Sequence, residues 1–349
     1  MLDLDAELDK PLAGVDTYSS QMQISKAPEG WTGLYMNDPS ARIRLSHSTL
    51  ELLHGCERKF QKTKILDNPG AREESPAMSF GKSMGAAWQY YYILRSLGHS
   101  VKESLDSAHY MIWMEYFPIL EDDRRFLERA VVVMTRSVPF LERMLQEWEI
   151  AFFNGKPASE LGFSLNIDPR FYFVGYIDLV VRHKHSRRYA IVDAKTTSLR
   201  GEDLTPVYKF SDQCLGYSIV LDKIAGESQT SYDVMYWVAQ LPSAKADIYL
   251  PVVKDYVFPK TLKDRFDWFL KIYLDVNYVR SLEQLDAYPK RGSHCMSFNK
   301  VCKFFNECQF TASDKPGYYV VDDTGYEFEY NLEDILADHM ERLRNADTY

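Results

Sequence analysis

No apolar run in the sequence approaches the roughly 20 residues needed to cross a bilayer. The start, Met1-Leu-Asp-Leu-Asp5, lacks the basic and apolar regions of a secretory signal. No glycine-rich phosphate loop of the Walker or Rossmann type is present, so an ATP-driven motor finds no support. Internal repeats and low-complexity tracts are missing too. Basic residues are in deficit: 41 Lys and Arg against 50 Asp and Glu leave a net charge of -9. That balance argues mildly against a nucleic-acid partner, although a local field can oppose the sum. Cysteine is sparse, with five in 349 residues. What is plentiful is core material: 46% of the residues are hydrophobic and 14% aromatic, against 26% charged. A soluble, cytoplasmic protein is expected (host cytoplasm if the source is viral), with no membrane partner.

Along the chain, residues 1–44 carry Pro, Gly, Ser and Asp without a sustained period and read as an arm. A helix is expected after Ser46 or Ser48, and helical patterns fill 79–98, 101–117 and 122–150, the last with Pro139 as an expected kink. Residues 45–158 are thus a helical region. The texture then changes. Phe171 to Arg182 is rich in β-branched and aromatic residues and reads as a strand, as does Tyr189 to Lys195. The pair resembles an antiparallel hairpin. A helix around Asp212–Leu221, strands at Tyr232–Gln240 and near Ile248–Val253, and a helix from Leu262 to Leu285 complete a core over 159–290. Residues 291–310 hold three cysteines, and 311–349 form an acidic tail with a helical stretch near Leu332–Arg344. This order predicts an α/β fold, a mixed central sheet flanked by helices with a helical insertion, rather than a doubly wound sheet.

Residues two apart on a strand share a face, so Asp193 and Lys195 emerge side by side, and Asp178 on the neighbouring strand can converge on them. Two carboxylates suit Mg²⁺ or Mn²⁺, with water and a substrate phosphate in the remaining positions. Such an ion polarises the phosphoryl oxygen and lowers the pKa of bound water. A lysine beside it can stabilise charge on phosphorus. An Asp-x-Lys at a strand end is by itself commonly a surface ion pair, and the basic clusters at Arg58–Lys64 and Arg182–Arg188 can equally be solvated faces.

Gly175-Tyr-Ile-Asp178 followed by Ile191-Val-Asp193-Ala-Lys195-Thr-Thr197 resembles the PD-(D/E)XK nuclease signature in its RecB-like form. Gln213-Cys-Leu-Gly-Tyr217 is similar to the Gln-x-x-x-Tyr motif of that branch; its two polar residues stand four apart on one helix face. The resemblance implies a restriction-endonuclease-like core in which Asp178, Asp193 and the Ala194 carbonyl hold the metal. It implies catalysis by Lys195, with Gln213 and Tyr217 at the site. Glu160 resembles an acidic residue that often precedes the signature. One departure stands out: in a segment like Ser79-Phe-Gly-Lys-Ser-Met-Gly85 the family often carries a metal-binding His, and here that position is Gly85.

Cys56, Cys295, Cys302 and Cys308 resemble the one-plus-three arrangement of iron–sulfur members of the branch, which implies a 4Fe–4S cluster stapling the two ends of the fold. Zinc on the same thiols is the alternative, and His294 can substitute for a ligand. Cys214, inside the Gln-x-x-x-Tyr helix, reads as a buried apolar residue. The expected activity is a Mg²⁺- or Mn²⁺-dependent DNA exonuclease acting on ends or single strands, in recombination, repair or phage DNA processing, with recombination or replication proteins as further partners. A nuclease fold that binds DNA or a partner without cleaving is the alternative, motivated by Gly85 and the acidic charge. A zinc-stapled RNA-processing enzyme is a third reading.

Overall fold

The computed structural model describes residues 23–25, 42–65, 75–116, 122–199, 204–242, 250–285, 287–297, 300–309, 319–321 and 328–346. Most of the expected N-terminal arm lies outside them; Gln23–Ser25 pairs antiparallel with Tyr319–Val321.

After a short strand β1 (Ile43–Leu45), helix α1 (His47–Gly55) begins where the sequence offers a cap: Ser46 accepts from the Thr49 amide at 3.2 Å. Three longer helices follow, α2 (Pro76–Ser96), α3 (Val101–Glu115) and α4 (Leu127–Glu147). Ser75 caps α2 with Pro76 in the first turn, and a reciprocal Ser100–Glu103 capping box starts α3. The expected helix over 122–150 is shorter at both ends. Residues Trp148–Ile150 leave it to become strand β2, which pairs with residues 181–183 of the central strand.

The sheet is built from β3 (Ser159–Asn166), β4 (Phe171–His183), β5 (Tyr189–Thr197), β6 (Ser231–Gln240) and β7 (Val252–Thr261). Between β5 and β6 run α5 (Thr205–Lys209) and α6 (Gln213–Ala225). After β7 come α7 (Leu262–Gln284), the edge strand β8 (Phe328–Asn331) and α8 (Leu332–Ala346). Spatial order is β7-β6-β5-β4-β3-β8, with β1 and β2 also pairing with β4. The β4–β5 hairpin is antiparallel as expected, whereas β5–β6 and β3–β8 are parallel, so the sheet is mixed. β7 is a full ten residues paired along all of β6, not the short strand expected near Ile248–Val253. As an edge strand it carries Lys254, Asp255, Pro259 and Lys260, which dilute its apolar pattern.

Apolar side chains fill both faces of the sheet. On one, Phe163, Phe173, Ile191 and Tyr236 pack with Tyr217 of α6 and Trp268 of α7. On the other, Val192 and Trp237 pack with Trp88 and Tyr92 of α2 and Phe140 of α4. Strand β5 alternates between them, Ile191 to the first and Ala190 and Val192 to the second. Asp193 and Lys195 continue the Ile191 side, towards α6.

Candidate active site

The site begins where the sheet comes apart. The β4–β5 ladder runs from Arg182–Tyr189 to Leu179–Val192 and stops there. Asp178 and Asp193 stand at the next step. In place of a ladder bond, the Asp178 carboxylate accepts from the Ala194 amide at 2.9 Å. On the other flank of β4, the pairs Ser159–Leu179 and Leu161–Ile177 bracket Glu160 opposite Asp178. Glu160 has a left-handed backbone with φ of 49°, uncommon for a residue with a Cβ. Three acids therefore occupy one row across three adjacent strands: Glu160, Asp178 and Asp193.

Asp193 is 1% exposed and its Oδ2 lies 2.8 Å from the Lys195 ammonium. Gln213, in the first turn of α6, ties the centre together. Its Oε1 accepts from Lys195 Nζ at 3.1 Å, and its Nε2 lies 3.2 Å from both Asp193 Oδ1 and the Tyr217 hydroxyl. Tyr217 reaches this position because Gly175 has no side chain: a Cβ there would stand 2.7 Å from both the Tyr217 and Phe163 rings. The glycine of the Gly175-Tyr-Ile-Asp178 motif is thus a close-approach residue.

Electrostatics follow from this crowding. Burial, then the neighbouring Asp193 and Glu160 carboxylates, pushes the Asp178 pKa up. Burial does the same to Asp193, against the pull of Lys195. Lost hydration around the Glu160 carboxyl raises it too, although solvent reaches part of the side chain, and the Glu115 and Asp193 charges add to the effect. Burial works against a charge on Lys195, but Asp193 and Asp178 outweigh it and keep the ammonium protonated.

The side of the row away from α6 is lined by α2. A Cβ on Gly81 would lie 3.5 Å from Thr196 Oγ1, one residue past Lys195. Two turns on, Gln89 donates to Glu160 Oε1 at 2.7 Å and accepts from Ser159 Oγ at 2.9 Å. Gly85 lies midway between them on the same helix face, and a Cβ there meets nothing within 4 Å. The position where the resemblance expects a histidine is open space beside the acid row.

A model of the PD-(D/E)XK nuclease superfamily matches residues 44–309. The chain belongs to that superfamily. No curated protein matches it. Among solved structures, a protein from Eubacterium rectale named as a putative exonuclease is similar at 12% identity and a TM-score of 0.41, over 84% of this chain and all of that one.

Of the residues expected at the nuclease centre, Asp178, Asp193, Lys195, Gln213 and Tyr217 converge. Ala194 joins through its amide, and Glu160 is turned towards Gln89. Among the described residues no three His, Cys, Asp or Glu side chains are grouped closely enough to hold a metal between them. The donors that fit a hard cation are therefore the two aspartates plus the main chain, with water and phosphate left to complete its shell. The two aspartates, raised chiefly by burial and at Asp178 also by the neighbouring carboxylates, are groups whose charge a divalent cation would stabilise.

Sequence reasoning did not single out the brace beneath α6. Asp212, at its N-terminus, makes no side-chain cap. Its carboxylate is held instead by His47 Nδ1 at 3.1 Å and by the Lys271 ammonium. His47 lies between Ser46 and Ser48 at the expected helix start, yet a lone histidine in a first helical turn carries no signal that it will meet residue 212. Elsewhere, Cys56, Cys295, Cys302 and Cys308 line one cavity of about 140 Å³ with Lys59, Lys290, His294, Phe304 and Phe305. All five cysteines are free thiols, and Cys214 is buried as expected.

Proposed function

We propose that this member of the nuclease superfamily is a Mg²⁺- or Mn²⁺-dependent DNA exonuclease acting at ends or on single strands, in recombination, repair or phage DNA processing. The observation that carries the reading is the splayed β4–β5 step, where Asp178 and Asp193 stand together with the Lys195 ammonium 2.8 Å from Asp193. Asp178, Asp193 and the Ala194 carbonyl would hold the cation, with Glu160 at the edge of the row. A bound divalent cation polarises the phosphoryl oxygen and makes a nucleophilic water available near neutral pH.

The protein's own contribution is positioning and charge. Lys195, kept protonated by its aspartates, faces the phosphate and stabilises the charge that develops on its oxygens. Gln213 fixes the lysine's approach by accepting from it while donating to Asp193. Tyr217 buttresses Gln213 by accepting from its Nε2, and burial pushes its hydroxyl pKa well up, so it stays neutral.

A second part of the reading is a 4Fe–4S cluster on Cys56, Cys295, Cys302 and Cys308, which share one cavity but would have to draw closer together to hold it. Four thiols around one space, flanked by Lys59 and Lys290, suit a cluster whose thiolate cage is anionic. Zinc on the same thiols is distinguished by metal analysis. Gly85 motivates one competing reading, a nuclease fold that binds DNA without cutting it.

The test is cleavage of end-labelled single- and double-stranded DNA and of RNA, with Mg²⁺, Mn²⁺ or EDTA, using anaerobically purified protein assayed for iron, sulfide and zinc. Metal-dependent shortening of DNA is expected, lost by at least about 100-fold in Lys195→Ala, while DNA affinity persists. Salt-sensitive DNA binding with no metal-dependent product from folded protein would establish the binding-only reading.

A further inference from the structure

Just before α6, whose first residue is Gln213 of the centre, the surface carries an exposed aromatic side chain on a braced turn. Phe210 follows α5 and precedes α6 by two residues; its side chain is 77% exposed, and Val207, three residues earlier on the same turn, is 61% exposed. Gln213, three positions after Phe210, bonds Lys195 and Asp193, so the Phe210 Cα lies within about 11 Å of that of Gln213.

The turn is braced from inside. Lys260, at the end of β7 and only 5% exposed, donates its ammonium to the Lys209 carbonyl at 2.7 Å and the Ser211 carbonyl at 3.1 Å. These are the residues on either side of Phe210. Below it, Tyr208 stacks on Tyr236 of β6 with ring centroids 4.6 Å apart and leans on Tyr256 of β7. Tyr208 is also close enough to the centre for its hydroxyl to feel the Lys195 and Asp193 charges. A buried lysine spent on two carbonyls and a stacked tyrosine pair fix the backbone of one exposed phenylalanine. Beside it, the Lys209 ammonium lies 5.8 Å from the Phe210 ring centroid.

An exposed aromatic ring on a braced backbone, with a cation near it, matches a nucleotide's two parts, a flat base and an anionic phosphate. We propose that Phe210 is a stacking platform for an unpaired base of the substrate strand, with Lys209 at the adjoining phosphate. This rests on the nuclease reading and narrows it: the preferred substrate presents at least one unstacked base beside the scissile phosphate. Paired bases within a duplex keep their faces covered, so a platform of this kind favours single strands and frayed ends.

The test uses the full-length protein, EDTA to prevent cleavage, and fluorescent single strands of 12 nucleotides, in which one abasic site is moved position by position. Wild type is expected to lose affinity about tenfold at one position. Phe210→Ala is expected to bind the intact strand about tenfold more weakly and to show no abasic penalty anywhere, while Phe210→Trp restores both. Because Phe210 is exposed, Phe210→Ala should melt as wild type does. An unchanged abasic pattern in Phe210→Ala, alongside normal metal-dependent cleavage, would overturn the platform and leave the nuclease reading intact. Wild-type protein that neither binds nor cleaves DNA would overturn both.

Discussion

At the scale of single residues, the centre depends as much on absent side chains as on present ones. Gly175 admits the Tyr217 ring, and Gly85 leaves space between Thr196 and Glu160. The two glycines have opposite consequences. A side chain at 175 collides with two aromatic rings, whereas one at 85 meets nothing. Gly85→His should therefore be tolerated, with a small gain because Gly is a poor helix former. It should also add a nitrogen donor beside the acid row and tighten Mn²⁺ binding about tenfold, or about 1.4 kcal/mol. Thermal melting of wild type and variant across a Mn²⁺ titration measures this directly. Identical midpoints would show that position 85 does not reach the cation. Spacing made Asp193 legible beside Lys195 and Gln213 beside Tyr217, while their membership of one centre with Asp178 was implied only by the resemblance to the nuclease signature. The role of Glu160 beside Asp178 was not legible, because it depends on the register of β3, and β3 itself carried no readable pattern.

At the scale of elements, α6 has to be held in register for Gln213 to span Lys195 and Asp193, and α1 and α7 do this through Asp212. Partial burial of His47 works against its charge, but its hydrogen bonds to Asp212 and Glu51 and their charges outweigh it and raise its pKa from 6.5 to about 9. A base whose pKa is raised on folding stabilises fully below its unfolded value and loses that contribution as pH rises through the folded one. The stability difference between wild type and His47→Gln should therefore be largest at about pH 6 and shrink as pH rises to about 9. Glu51, Asp212, Lys271 and Lys195 are the charged groups that set the window. Urea denaturation at pH 6, 7.5 and 9 provides the comparison, and a difference that stays constant across the range would remove His47 as the brace. Periodicity alone gave the long helices to within a few residues. It misplaced the ends that tertiary pairing decides: Trp148–Ile150 reads as the last turn of a helix until the edge of β4 claims it, and β7 looks too polar for a ten-residue strand until β6 is beside it.

At the scale of the whole molecule, the C-terminal segment, expected as an acidic tail with a helical stretch, contributes that helix, docked, and an edge strand as well. β8 extends the sheet parallel to β3, and α8 packs against α7. What fastens α8 is a buried charge cluster with Asp222 of α6 at its centre. Asp222 Oδ2 accepts from Arg342 of α8 at 2.6 Å and from Arg265 of α7 at 3.1 Å, while Oδ1 accepts from Tyr232 at 2.7 Å. Arg265 is 0% exposed; burial depresses its pKa, opposed by the Asp222 charge, and its guanidinium lies over the Tyr232 ring. Removing a shared partner leaves a buried cation uncompensated, which costs far more than the pair contributes when intact. Asp222→Ala should thus destabilise the protein by about 3–5 kcal/mol. Arg342→Ala, which removes the more exposed guanidinium and leaves Asp222 paired with Arg265, should cost less. It should mainly release α8, seen as earlier proteolysis near residue 330 with the rest of the chain still protected. Chemical denaturation of both variants decides the matter: equal losses would mean that α8 docks through its apolar face, with Leu332 and Ile335 in the core, and that the charge cluster only orients it. The ranking follows from burial and from partners together, since the buried Asp222 serves three elements at once and the more exposed Arg342 reaches across to one.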